Sequence, residues 1–202
     1  MQPQNIKIII IKKFIFFTSV LLLFVNAISI NIKLKENNTK SYPKFLEYNI
    51  PYLQNNFVAF KQALAFKESQ GNYTVVNTLG YLGKYQFGRT TLERFEIYDT
   101  EGFLKDPELQ EKAFTALCKV NKWILRKDIK RSVGKTINGI EITESGILAA
   151  AHLGGAGNVK KFLRSNGTKT FSDAYGSSIQ VYLKKFAGYD VSNIVADRKA
   201  KA

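Results

Sequence analysis

A mainly α domain with a small β wing is the fold class the sequence predicts, and three features point to it. Apolar residues recur at helical spacing through several segments, each bounded by Gly, Asn, Asp or Pro. Residues 73–88 break that pattern, setting Gly80, Gly83 and Gly88 among Tyr, Val and Phe as a small hairpin or looped β region does. The 202-residue chain is 45% apolar, with 15 Phe and 10 Tyr but only 4 Pro, which supports a core and excludes a disordered or collagenous chain. A domain of this size buries roughly 70% of its unfolded surface. Cys118 is the lone cysteine, so the fold must hold by packing without an internal disulfide. One Cys and one His also cannot build a four-ligand zinc site, and no metal or organic cofactor is implied.

The chain opens with what reads as an export signal over residues 1–27. Lys7, Lys12 and Lys13 precede an apolar run from Phe14 to Val25, and Val25-Asn26-Ala27 suits a signal peptidase cut after Ala27. The run is short for a spanning helix, which needs about 20 residues, so cleavage is the expectation and a retained membrane anchor the alternative. A periplasmic or secreted location follows. Cleavage would remove three lysines and no acid, lowering the net charge from +14 to +11. Residues 28–50, with Asn37-Asn38-Thr39 and Pro43, read as an irregular lead-in, and residues 51–202 as the functional domain.

Within that domain the periodicity predicts helices over 56–69, 89–97, 106–130, 143–153, 157–165 and 177–187. The longest opens at Asp106-Pro107-Glu108, an N-cap, an N1 proline and a dipole-matching acid. Its Leu109, Ala113, Leu117, Val120 and Ile124 form the apolar side, and Lys119, Lys122, Arg126 and Lys130 line a narrow cationic arc. A basic exported protein points first to a polyanionic surface or acidic wall polymer. No zinc-finger spacing, RNP-like motif or Walker loop accompanies the charge, so specific nucleic-acid binding is not expected, and a monomer is.

One carboxyl stands out. Phe57, Phe60, Leu64 and Glu68 are spaced i, i+3, i+7, i+11, so Glu68 continues the apolar stripe of its helix. It also sits at the helix C-terminus, where the macrodipole disfavours negative charge, and Gly71 follows as the expected terminator. A carboxyl so placed suits a general acid. The adjacent Ser69 has no nearby base and no G-x-S-x-G elbow, so a supporting hydroxyl is expected there, not a nucleophile. Asp173 and Glu144 read as caps or first-turn charges, and neither they nor Glu141 and Asp190 are assigned to catalysis.

Glu68-Ser69-Gln70-Gly71-Asn72-Tyr73, then Gly83-Lys84-Tyr85-Gln86-Phe87-Gly88, then Ala151-His152-Leu153-Gly154-Gly155-Ala156-Gly157 resemble, in order, three signatures of the lysozyme-like lytic transglycosylases. Those are an E-S start, a G-x-x-Q segment and an A-Y-N-x-G segment, and the resemblance spans about residues 57–188. The resemblance implies a lysozyme-like helical domain that cleaves peptidoglycan between N-acetylmuramic acid and N-acetylglucosamine. Glu68 would protonate the glycosidic oxygen and then act as base. Gln86 would hydrogen-bond the glycan or the catalytic carboxyl, Gly83 would let the backbone approach the sugar, and Tyr85 would join the substrate-binding set with Ser69, His152 and Gly155. His152 replaces the family's Tyr and Leu153 its Asn, leaving His152 to reach the carboxyl or an N-acetyl carbonyl. Tyr85, Phe87, Tyr175 and Tyr182 are either sugar-stacking walls or core.

The resemblance also bears on the reaction. Phage-type lysozymes carry a second acid across the β wing, and Asn77 stands about where it would fall. Without that carboxylate, paired-acid hydrolysis fits poorly, and a 1,6-anhydromuramyl end formed by attack of the muramyl C6 hydroxyl is expected. A hydrolytic muramidase or chitinase-like glycosidase would instead need Glu93, Glu96 or Asp99 as the missing acid. A wall-binding or inhibitory protein without turnover is the alternative from another class.

Overall fold

The computed structural model describes residues 55–202; the expected signal, the lead-in and residues 51–54 lie outside these residues. The described chain is mainly helical with one small antiparallel sheet, as the sequence predicts. Helix α1 (Phe57–Ser69) starts where Asn56 accepts a hydrogen bond from the Ala59 amide at 3.1 Å, and Phe57, Phe60 and Leu64 are buried. The chain turns out of α1 at Gln70, one residue before the expected glycine. Gln70 adopts the left-handed conformation (φ 56°), Gly71 follows with φ 81°, and their amides return to the Phe66 and Ala65 carbonyls.

Residues 73–88 form the looped version of the expected β region. Leu82 makes single bridges to Val76 and Phe87, and no strand extends further. Helix α2 (Arg89–Glu93) is shorter than the predicted 89–97, because Glu96 takes a positive φ of 62° and turns the chain. The sequence reading passed over helix α3 (Thr100–Lys105), whose first amides, Glu101 and Gly102, are capped by the Asp99 carboxylate. Helix α4 (Pro107–Ser132) opens as predicted, with Pro107 at its start and Asp106 accepting from Leu109 N at 2.9 Å.

The regular strands lie where the sequence reading placed none. Strands β1 (Thr136–Ile137) and β2 (Ile140–Glu141) pair across Asn138-Gly139, with φ of 51° and 74°. That dipeptide is the usual two-residue hairpin turn, in which both central residues must be left-handed. Helix α5 (Glu144–Arg164) merges the predicted 143–153 and 157–165 helices, and Gly155 alone inside it leaves helical geometry (φ 75°, ψ 152°). Helix α6 (Ile179–Lys185) closes the series.

Helix α5 is the centre of the molecule and packs on both α4 and α6. Its Ala149-Ala150-Ala151 run is buried, and small side chains there let neighbouring backbones come close. At Gly146 the approach is limiting: a Cβ would lie 2.6 Å from the Leu183 carbonyl oxygen of α6. The looped β region is docked by two consecutive residues of α4. Fully buried Gln110 accepts from Lys84 N and donates to the Tyr73 and Phe103 carbonyls, each at 2.9 Å. Glu111 receives Lys61 of α1 at 2.6 Å, Lys84 at 2.7 Å, the Tyr85 hydroxyl at 2.9 Å and the Tyr73 hydroxyl at 3.0 Å. Burial alone would raise the Glu111 pKa, but these donors outweigh it and hold the value at about 2.

Candidate active site

A cleft of about 780 Å³ opens between the looped β region and the segment before α6, and Glu68 lines it together with Gln86, His152 and Tyr182. Glu68 reaches it because α1 turns its last apolar-stripe position toward α6, 114 residues along the chain. There the Tyr182 hydroxyl donates to Glu68 Oε1 at 2.6 Å. Burial raises the Tyr182 pKa well above the ordinary tyrosine value, and the Glu68 carboxylate adds to the effect. Tyr182 is therefore a neutral donor at any pH at which the protein works, and it fixes one oxygen of the carboxyl. No hydrogen bond to Glu68 Oε2 is found among the described residues.

Gln86 is placed by strain and by clamps on both sides. It is a non-glycine residue at φ 50°, and its Nε2 donates back to the Gly83 carbonyl at 2.9 Å. The preceding carbonyl, that of Tyr85, lies 2.8 Å from His152 Nε2. A carbonyl only accepts, so Nε2 carries the proton and Nδ1 is a bare acceptor, buried and without a partner. Burial lowers the His152 pKa, with Glu68 and the Tyr85 carbonyl opposing, so the neutral ring is the working form. This corrects the expectation for His152. A bare Nδ1 has nothing to donate to a carboxylate or an N-acetyl carbonyl, and the ring instead holds the Tyr85–Gln86 peptide in its strained setting.

Four further residues expected to contact substrate have other tasks. Tyr85 is fully buried, stacked on Phe114 with ring centroids 4.1 Å apart and bonded to Glu111, so it is core. Gly83 faces away from the cleft. Its Cβ would stand 2.3 Å from Gln110 Oε1 and its φ is 72°, so the glycine makes room for the wing clamp and not for a sugar. The Ser69 hydroxyl lies 2.8 Å from the Lys84 carbonyl and 3.3 Å from that of Asn72, tying the end of α1 to the β region. Gly155 is exposed and makes the α5 bend, while its neighbour Gly154 leaves space for Phe171 of the cleft wall. Phe87 is core as well, whereas Tyr175 lines the cleft with 60% of its surface exposed.

The acids fall differently from the sequence reading. Asn77 does line the cleft, but its Oδ1 is taken by the Leu79 and Tyr81 amides at 2.9 and 3.0 Å and serves the turn. Glu93, Glu96 and Asp99 do not line the cleft, and Asp99 is occupied as the cap of α3. Asp173 does line it, and it is the one other carboxylate to do so among the described residues. Its Oδ1 accepts from the Tyr175 and Ser177 amides at 3.0 and 2.7 Å, and its charge contributes to the raised Tyr182 pKa. The sequence predicts a helix cap or first-turn charge at Asp173, but the cap of α6 is Ser178, and Asp173 instead closes the turn before it, which forms the cleft wall. The described residues contain no group of three or more His, Cys, Asp or Glu able to hold a metal ion.

The cationic arc of α4 is only partly free. Lys122 is paired with Glu144 at 2.9 Å and bonded to the Val191 carbonyl, and the Lys119 carbonyl accepts from Asp197 N of the C-terminal segment. Arg126 and Arg198 both lie over the Trp123 ring, at 4.2 and 5.2 Å from its centroid. No family model, curated protein or solved structure matches this chain.

Proposed function

We propose that this protein is an exported lytic transglycosylase that cleaves peptidoglycan glycan strands with Glu68 as its single acid and base. The observation that carries the reading is a half-buried carboxyl that lines a large cleft, with one of its oxygens held by a neutral tyrosine. Glu68 protonates the glycosidic oxygen, the bond to the departing N-acetylglucosamine breaks, and charge develops at the muramyl C1. The carboxylate then takes the proton of the muramyl C6 hydroxyl as that oxygen bonds to C1. Protons balance, since the one given to the leaving sugar is recovered from the C6 hydroxyl. Tyr182 keeps Glu68 in place through both steps, and Gln86, set by His152, offers its amide to the substrate.

Mass spectrometry of fragments released from purified sacculi tests this directly. The expected muramyl ends are one water lighter than hydrolytic ends. A specific observation favours a second reading, hydrolysis, because Asp173 shares the cleft with Glu68 and a second carboxylate can activate water. Dominant reducing ends that disappear in Asp173→Asn would replace the first reading with the second. Absence of any released glycan would leave a wall-binding protein without turnover.

A further inference from the structure

The rim of the cleft carries a contact that the chemistry at Glu68 does not use. Thr78, at the tip of the looped β region, and Tyr175, on the opposite wall, share a hydrogen bond of 2.6 Å between their hydroxyls across 97 residues of sequence. Both residues line the cleft and both are exposed, whereas Tyr182 and the His152 Nδ1 on the Glu68 side are buried. The bond therefore spans the solvent side of the cleft. Its two ends are held by turns that do not depend on it. Asn77 fixes one through the Leu79 and Tyr81 amides, and Asp173 fixes the other through the Tyr175 and Ser177 amides.

We propose that the Thr78–Tyr175 pair is a strap that closes over a bound glycan strand and keeps it in the cleft between successive cuts, so that the enzyme acts processively. This rests on the reading of the cleft as a glycan site and adds the mode of action on long strands. The strength of the bond suits a strap. One exposed hydrogen bond shifts an equilibrium by only about 2- to 10-fold, enough to favour closure while allowing the walls to part for entry. The rim also suits sliding. Val76, Leu79, Tyr81 and Tyr175 are each more than 40% exposed and line the cleft, and apolar contact is non-directional, so a strand can advance without breaking oriented bonds.

The test uses long glycan strands freed of their peptides and reads strand length early in digestion. Wild type is expected to leave full-length strands beside short products, with few intermediates. Tyr175→Phe, which keeps the ring, and Thr78→Val, which keeps the shape, are each expected to raise the intermediates several-fold. A second readout does not need turnover: strand release from Glu68→Gln should become several-fold faster when Tyr175→Phe is added. Intermediates already abundant with wild type, or variants matching wild type in both readouts, would overturn the strap alone. Wild type that neither cuts nor binds strands would instead overturn the reading of the cleft on which it rests.

Discussion

At the scale of single residues, the proposed mechanism separates a group that reacts from groups that only hold it. Glu68→Gln preserves shape and removes the transferable proton, so it should fold normally yet lose sacculus-lysing activity by at least about 100-fold, the usual worth of a positioned acid. Retention of a substantial share of activity would remove Glu68 from the mechanism. Tyr182→Phe deletes one charge-assisted hydrogen bond, worth about 1.5–3 kcal/mol, and should slow turnover roughly 10- to 100-fold while leaving the cleft intact. Initial rates on soluble glycan fragments check it, and an unchanged rate would make the bond incidental. Glu68 was legible in the sequence because a carboxyl on an apolar stripe is anomalous at short range. Tyr182 was legible only as an aromatic, since its partner lies 114 residues away and no local spacing records that meeting. Tyr85 misled for the converse reason: it lies next to Gln86, but at φ 50° the chain turns so that one residue faces the cleft and the other the core.

At the scale of elements, the cleft depends on how the looped β region is fastened to α4. That region has almost no ladder of its own, so Gln110 and the Glu111 cluster supply the bonds that regular strands would make. Glu111→Gln leaves Lys61 and Lys84 without a counter-charge and should cost about 2–4 kcal/mol of stability. The pH dependence has a definite sign. The Glu111 pKa is about 2 in the folded protein against an ordinary 4.5, so its contribution is fully present above the ordinary value and is lost as pH falls toward 2. Melting temperatures of wild type and variant should thus differ most near neutrality and converge in acid; a gap that stays constant with pH would refute the assignment. Periodicity revealed the main helices because each buries an apolar stripe. The Glu111 cluster stayed hidden because a lone Glu on an amphipathic helix looks like ordinary solvated charge, and it is the fold that gathers two lysines and two tyrosines around it. Helix α3 was missed because six residues are too few for an apolar period to show.

At the scale of the whole molecule, the question is where an excess of 14 positive charges acts. The sequence reading placed it on the α4 arc, but the fold spends part of that arc on its own packing. The Lys122 side chain is 16% exposed and paired with Glu144 at the start of α5, which joins the two central helices. Lys130, by contrast, is exposed, and no ion pair involves it among the described residues. On the proposed function, attraction to an anionic wall polymer would then be a property of the summed field, which acts over a Debye length of about 8 Å at physiological salt. Reversing either lysine lowers the net charge by two and should weaken sacculus binding by a similar modest factor, with added salt weakening all variants together. Stability should separate the two. Lys122→Glu sets a carboxylate against Glu144 and should lower the melting temperature by several degrees, equivalent to about 1–3 kcal/mol, whereas Lys130→Glu should leave it unchanged. Sedimentation with sacculi across a salt series, paired with thermal melts, measures both effects. A large, specific loss of binding in Lys122→Glu at unchanged melting temperature would show that the arc is a docking face after all.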